Sequence, residues 1–228
     1  MTATFIQPIN IFTGIRQQNV TFCLDISGSM YNTLTTIKEH LIQYLLEQSV
    51  LADFNVNRLF NLIAFSTEVY PWATSMVLWN KATVNNSLNW ISDLETKTGT
   101  NTLDALLTAF QDERCHAVTL VTDDTSDQEP FTVLNQISLV SKGRPVHCIY
   151  VINGRQEDSS TIEFLQNIAS ITRGSLKIIT CDRNGVEKIT PICSYDIATS
   201  AHLANLSVNV NNHKNQLINA ISLDGVRI

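Results

Sequence analysis

What the sequence lacks already narrows the answer. Only 16% of its 228 residues are charged while 44% are hydrophobic, the opposite of a disordered or coiled-coil chain, which needs more charge and less to bury. Basic residues are outnumbered, 15 Lys plus Arg against 21 Asp plus Glu for a net charge of −6, so broad attraction to nucleic-acid phosphates or anionic lipid is disfavoured. No stretch approaches the ~18 uninterrupted apolar residues of a membrane span. The start, Met1–Phe12, has no basic head followed by an apolar run, so it does not read as a secretory leader. No CxxC pair occurs among the five cysteines, which excludes a zinc ribbon or dithiol motif. Cys23 and Cys148 lie inside apolar runs and read as small buried hydrophobes, and the expected compartment is a reducing one, the cytoplasm. No HExxH or other ligand spacing joins His40, His116, His147, His202 and His213, so no catalytic histidine is nominated and structural roles are expected for each. Trp72, Trp79 and Trp90 are assigned to core packing.

What is present is an alternation of short β-type runs with longer helical ones. At roughly 150 residues per domain, the length allows one large domain or one and a half smaller ones. Val20–Ile26 (VTFCLDI) is the first central strand. Leu34, Ile37, Leu41, Ile42 and Leu45 recur at spacings of three and four, which predicts an amphipathic helix over Tyr31–Ala52. Leu59–Phe65 and Val69–Trp72, joined by Ser66, Thr67 and Glu68, form a hairpin whose second strand is an antiparallel edge. A helix over Asn80–Leu94, the polar turn 98–102, and a helix carrying Leu103, Leu106, Leu107 and Phe110 follow. Then come strand Ala117–Thr122, helix Pro130–Val140, strand Val146–Val151, a helix with Ile162, Leu165, Ile168 and Ala169 closed by Gly174, and strand Leu176–Thr180. The fold class is therefore α/β, a doubly wound and mostly parallel central sheet with helices on both faces and one antiparallel edge strand. Residues 1–19 read as an N-terminal extension, 20–180 as the domain, and 181–228 as an appendage without a clean period.

In open α/β sheets the ligand site lies at the carboxyl ends of the strands, and three such ends carry oxygen. DISGS after the first strand supplies Asp25, Ser27 and Ser29, with Gly28 letting the backbone bend. TGTNT supplies Thr100, and the AVTLVT strand ends in Asp123. Two acids and three hydroxyls, with no His or Cys, suit a small hard cation such as Mg²⁺, which keeps open positions for an outside ligand. Neutral hydroxyls leave the ion's charge unquenched toward an incoming carboxylate.

DISGS, TGT and the strand-ending Asp123, in this order and each at a strand-to-helix turn, resemble the metal-ion-dependent adhesion site of a von Willebrand factor A domain, over about Val20–Thr180. The resemblance implies a doubly wound sheet holding Mg²⁺, with Mn²⁺ or Ca²⁺ as alternatives. Ser27, Ser29 and, in one state, Thr100 would bind it directly, with Asp25 and Asp123 acting through waters. It also implies a non-enzymatic binding or scaffold module whose protein partner offers an Asp or Glu to the metal. Asp124 departs from the family's usual Gly after the aspartate.

Simpler readings compete. Ser27 and Ser29 are good caps for a helix starting near Tyr31, Asp124, Asp127 and Glu129 read as a solvated acidic loop, and Asp104 as a first-turn acid favoured by the helix dipole. An enzymatic alternative is a Mg²⁺-dependent phosphoryl hydrolase of the haloacid dehalogenase type, which needs a second Asp where this chain has Ser27. A dinucleotide-binding domain is set aside because no GxGxxG follows the first strand. A last alternative keeps the fold and makes the metal site vestigial, with partner contacts supplied by residues 182–228.

Overall fold

The computed structural model describes residues 10–52, 57–154, 157–182 and 185–192, all within the unit Met1–Ser194. Most of the stretch expected as an appendage, from residue 193 on, lies outside the described residues.

Strand β1 (Val20–Asp25) leads through a 3-10 turn (Gly28–Asn32) into helix α1 (Leu34–Ala52). Strands β2 (Leu59–Phe65), β3 (Val69–Pro71) and β4 (Val77–Leu78) follow, then α2 (Lys81–Ser92), α3 (Thr102–Gln111), β5 (Ala117–Thr122) and α4 (Pro130–Val140). The chain continues through β6 (Val146–Asn153), α5 (Ser159–Ile171), β7 (Ser175–Asp182) and β8 (Gly185–Ile192). The strands form one eight-stranded sheet in the order β3-β2-β1-β5-β6-β7-β8, with β4 also on β2. Pairing is parallel from β2 through β7 and antiparallel for β3, β4 and β8.

Both faces of the sheet are covered, which is why β1 and β5 are buried along their whole length and read as continuous apolar runs. The period of two still sorts the side chains. Phe22 and Leu24 join Ile37, Leu41, Leu45, Phe60 and Trp79 in one core, on the side of α1 and α2. Cys23 points the other way, into the core made with Leu106, Phe110, Ile137 and Leu165 from α3, α4 and α5. Ile11 and Phe12, ahead of the first strand, are fully buried in the first of these cores, so the N-terminal stretch 10–19 packs as part of the domain. Trp79 touches Phe22, Tyr44 and Phe60, Trp72 stacks on Phe60, and Trp90 packs against the same core.

The structure departs from the expected elements in three places. Helix α1 begins at Leu34 and not at Tyr31, because residues 28–32 tighten into the 3-10 turn, with Thr33 donating its backbone N–H to the Met30 carbonyl and accepting from Ile37. The sheet does not stop at Thr180. Strand β8 adds a second antiparallel edge, and short β4 adds a third antiparallel strand where one was expected. A register shift between Thr180 and Cys181 and Pro191 within β8 erase the alternation that a regular strand shows, both being tolerated at an edge.

The third departure is at the end of α5. Arg173, with φ 58°, holds the left-handed position, and the N–H groups of Arg173 and Gly174 bond to the carbonyls of Ser170 (3.2 Å) and Ala169 (2.7 Å), the paired bonds of a Schellman closure. Gly174 is needed for a different reason: a Cβ there would stand 1.8 Å from the Val146 carbonyl oxygen, so only glycine lets the chain pass β6. Gly174→Ala is expected to lower stability by about 3 kcal/mol or more, whereas Arg173→Gly, which relieves a left-handed side chain, should raise it by up to about 1 kcal/mol. Urea denaturation of both variants measures the contrast.

Candidate metal centre

The chain leaves β1 toward β2 on one side and reaches β5 on the other, so the β1/β5 boundary is the switch point of this sheet, where a doubly wound fold opens a crevice beyond its strand ends. Asp25 closes β1 there, its residue wholly buried. Its Oδ1 accepts the Ser27 N–H at 2.7 Å and its Oδ2 the Thr122 hydroxyl at 2.5 Å. Burial pushes the carboxyl up to about 7, against those hydrogen bonds, which hold it down, and with a further push from the Asp123 charge.

Ser27 occupies the capping position of the 3-10 turn, yet its hydroxyl makes no capping bond. It lies instead 3.0 Å from the Ser29 hydroxyl, which donates to Asp123 Oδ1 at 2.6 Å. The single Ser29 hydroxyl proton goes to Asp123, and the Ser27 side chain also bonds to the Asp25 carboxylate, which helps hold that carboxyl down. The capping reading therefore fails for Ser27, and Asp25, Ser27, Ser29 and Asp123 form one connected set across the switch point. Ser27 is buried and Ser29 half-buried, so the set opens outward through Ser29 and Asp123.

Thr100 lies, buried, on the neighbouring loop, and its hydrogen bonds run to the loop after β5 and not to the four residues of this set. Lys97 bridges to Ser27 and donates its N–H to Ile26 at 2.6 Å. Beyond it, the Thr67 N–H bonds to the Thr98 carbonyl (2.9 Å) and the Asn101 N–H to the Ser66 carbonyl (2.7 Å). Gly99 has φ +80°, and a Cβ on it would come 2.2 Å from Thr67 Oγ1, so the glycine of TGT is required on two counts. The Thr100 N–H donates to Asp127 Oδ2 at 2.5 Å, and the Asp127 N–H returns to the Thr100 carbonyl at 3.0 Å.

Asp127, exposed as expected, is also a tether of the Thr100 loop, and Glu129 is a helix cap: its carboxylate accepts the Thr132 N–H at 2.7 Å, which holds its carboxyl below the usual range. Asp124 is exposed as expected and bonds to the Thr125 N–H of its own loop. Asp104 sits in the first turn of α3, its N–H accepted by Asn101. Thr122 and Asp127 are the two contributors that sequence reasoning missed. Thr122 had a signal, a polar residue one step before Asp123, whereas nothing local distinguishes Asp127 from Asp124.

A family model for the von Willebrand factor type A domain matches residues 18–178. The chain belongs to that family. Human von Willebrand factor A domain-containing proteins 3B and 3A are 29% identical to it over 165 and 164 residues, in each case 72% of this chain, but only 12% and 13% of theirs. Human inter-alpha-trypsin inhibitor heavy chain H4 is 36% identical over 95 residues, 41% of this chain and 10% of that protein. The chain therefore spans about an eighth or less of the length of these curated relatives. Among solved structures, a von Willebrand factor type A protein from Catenulispora acidiphila superimposes with a TM-score of 0.58 at 16% identity, over 72% of this chain and 38% of that one. The SpRpn10 VWA domain gives 0.53 at 13% identity, over 72% and 88%. These likenesses place the fold.

Elsewhere in this von Willebrand factor A domain, His40 Nδ1 is buried without a hydrogen-bond partner. His147 bonds to Ser175 (2.9 Å) and Gln17 (3.1 Å), His116 is exposed, and His202 and His213 lie outside the described residues. Cys23, Cys115, Cys148 and Cys181 are buried. Among the described residues no three His, Cys, Asp or Glu side chains cluster as a metal-binding group, and no helix is long and apolar enough to cross a membrane. One pair of hydroxyls nonetheless has the spacing that a small cation requires. Donors at 2.0–2.1 Å on an octahedron stand about 3 Å apart along each edge, the separation of the Ser27 and Ser29 hydroxyls. If Asp127 holds the Thr100 loop, Asp127→Ala should speed hydrogen exchange at the Thr100 amide by roughly 10-fold or more while leaving the amides of β1 and β5 protected, as read by NMR.

Proposed function

We propose that this domain is a non-enzymatic protein-binding module that takes up Mg²⁺, or Mn²⁺ or Ca²⁺ in its place, and presents it to an Asp or Glu of a protein partner. The observation that carries the reading is the uncapped Ser27 hydroxyl, 3.0 Å from Ser29: a serine at a capping position that does not cap has been turned toward another oxygen. Ser27 and Ser29 would hold the ion directly, Thr100 would join them from its tethered loop, and Asp25 and Asp123 would act through water and through the hydroxyls they orient. When bound, the ion supplies a positive centre that uncharged ligands leave open to a carboxylate. Asp25 fixes Ser27 through its backbone, Thr122 fixes Asp25, and Asp123 aligns Ser29. The half-buried rim at Ser29 is where a partner carboxylate would enter.

A phosphoryl hydrolase of the haloacid dehalogenase type is the weaker reading. It would need Asp25 as an accessible nucleophile, and that carboxylate is enclosed with both oxygens already accepting hydrogen bonds. Ser27 stands where a second acid would have to work. Absence of turnover of an aryl phosphate in Mg²⁺ is therefore expected, and robust turnover lost in Asp25→Asn would overturn the reading.

Calorimetric titration with Mg²⁺ and Mn²⁺ should report one site. The double substitution Ser27→Ala with Ser29→Ala should remove the binding heat with the fold retained by circular dichroism. Thr122→Val, which strips Asp25 of a hydrogen bond without touching a proposed ligand, should weaken Mg²⁺ by about 10-fold. Unchanged metal affinity in the double variant would refute the assignment, and partner capture that survives chelator would move the interaction away from this site.

A further inference from the structure

A groove of about 650 Å³ lies between the start of α4 and α5, walled along its length by residues 125–129 of the loop after β5. That loop begins with Asp123, and its Asp127 grips Thr100, so one loop serves both the groove and the proposed metal site. Helical spacing makes the lining. Helix α5 contributes Ser160, Glu163, Phe164 and Asn167, the i, i+3, i+4, i+7 stripe of one face, and α4 contributes Pro130 and Leu134, one turn apart. Phe164 is buried and Leu134 partly so, both packed on the core of this side of the sheet. The floor is therefore apolar.

The rim is acidic. Asp127, Glu129 and Glu163 are all exposed, and no Lys or Arg is among the described residues that line the groove. The bonds these carboxylates make are to neutral groups: Asp127 accepts the Thr100 N–H, and Glu129 accepts from the Thr132 N–H and hydroxyl. The ion pairs of the described residues lie elsewhere, joining Arg114 to Asp112 and Lys142 to Glu113. The acidic field reaches from the metal site to the start of α5. Burial pushes the Tyr150 hydroxyl above its usual range, against the Asp158 N–H bond that holds it down, and the charges of Asp158, Asp123 and Asp124 push it further.

An apolar floor under such a rim is matched by one kind of side chain. An uncharged apolar group satisfies the floor alone, and a bare cation the rim alone. Lys and Arg bring both parts, a methylene stem that lies along apolar surface and a cationic head that bonds to carboxylates. We infer that this groove takes a Lys or Arg side chain of the same partner segment whose Asp or Glu meets the metal, an inference that rests on the metal-dependent reading above. The domain then recognises an acid and a base at a fixed separation. Nearly any protein surface offers a lone carboxylate to an open ion, whereas the acidic rim repels a segment that places a second acid there.

Selection of a random peptide display library on the full chain in Mg²⁺ tests this. Enriched peptides should pair an Asp or Glu with a Lys or Arg at one preferred spacing. In the synthetic form of one such peptide, replacing Lys by norleucine or Arg by citrulline should weaken binding about 5-fold, read by fluorescence anisotropy. Glu163→Lys, an exposed change on α5 that touches no proposed metal ligand, should weaken it about 10-fold or more with the Mg²⁺ binding heat retained, and should erase the preference for the charged side chain. Enriched peptides with an acid and no basic residue, or an affinity unchanged in Glu163→Lys, would overturn the inference and leave the metal reading standing. Binding that depends on Glu163 but persists in chelator would uphold the groove and remove the metal's role. A library that yields no binder would overturn the groove, with the Mg²⁺ titration then deciding the metal site by itself.

Discussion

A single carboxylate withdrawn from water organises the carboxyl edge of this sheet. Asp25 ends a strand buried along its whole length, and an acid in that position is tolerated only if its oxygens are satisfied. One oxygen takes the Ser27 N–H and sets the turn that follows β1. The other takes the Thr122 hydroxyl and ties the end of β1 to the end of β5. Once those two ends are joined, Ser29 on one side meets Asp123 on the other. The oxygen set is a consequence of how one buried acid is satisfied.

The loop that brings Thr100 to this edge is held by a different device. Gly99 takes a backbone conformation and a closeness to Thr67 that a side chain forbids, and Asp127, from the loop after β5, grips Thr100 through two backbone-linked bonds. The two halves of the crevice are thus joined twice, at Asp25–Thr122 and at Thr100–Asp127. The loop after β5 thus carries both Asp123 and the tether to Thr100 before it enters α4, whose first turn Glu129 caps.

Much of this was legible in the sequence for definite reasons. Strands β1, β2 and β5 were readable because both faces of the sheet are covered, which demands unbroken apolar runs such as LFNLIAF and AVTLVT. Helix α4 was readable from Pro130 and its apolar spacing. That Asp25, Ser27, Ser29 and Asp123 lie together was legible because each falls at or just after a strand end, and such ends converge in a doubly wound sheet. Strand β8 was not readable, since a register shift and Pro191 break the alternation that identifies a strand. Asp127 was not readable either, because an acid that grips a distant backbone N–H is written in the same letter as an acid in solvent.

The sequence by itself determined the layers, the parallel centre of the sheet and the types of oxygen available at its edge, because periodicity and burial demand are local properties of the chain. Only the tertiary structure decided that Ser27 leaves the 3-10 turn uncapped, that Gly174 serves close passage while Arg173 takes the left-handed turn, and that the exposed Asp127 is also a tether. Each of these depends on what stands a few ångströms away across tens of residues of chain, and no pattern along the chain encodes that distance.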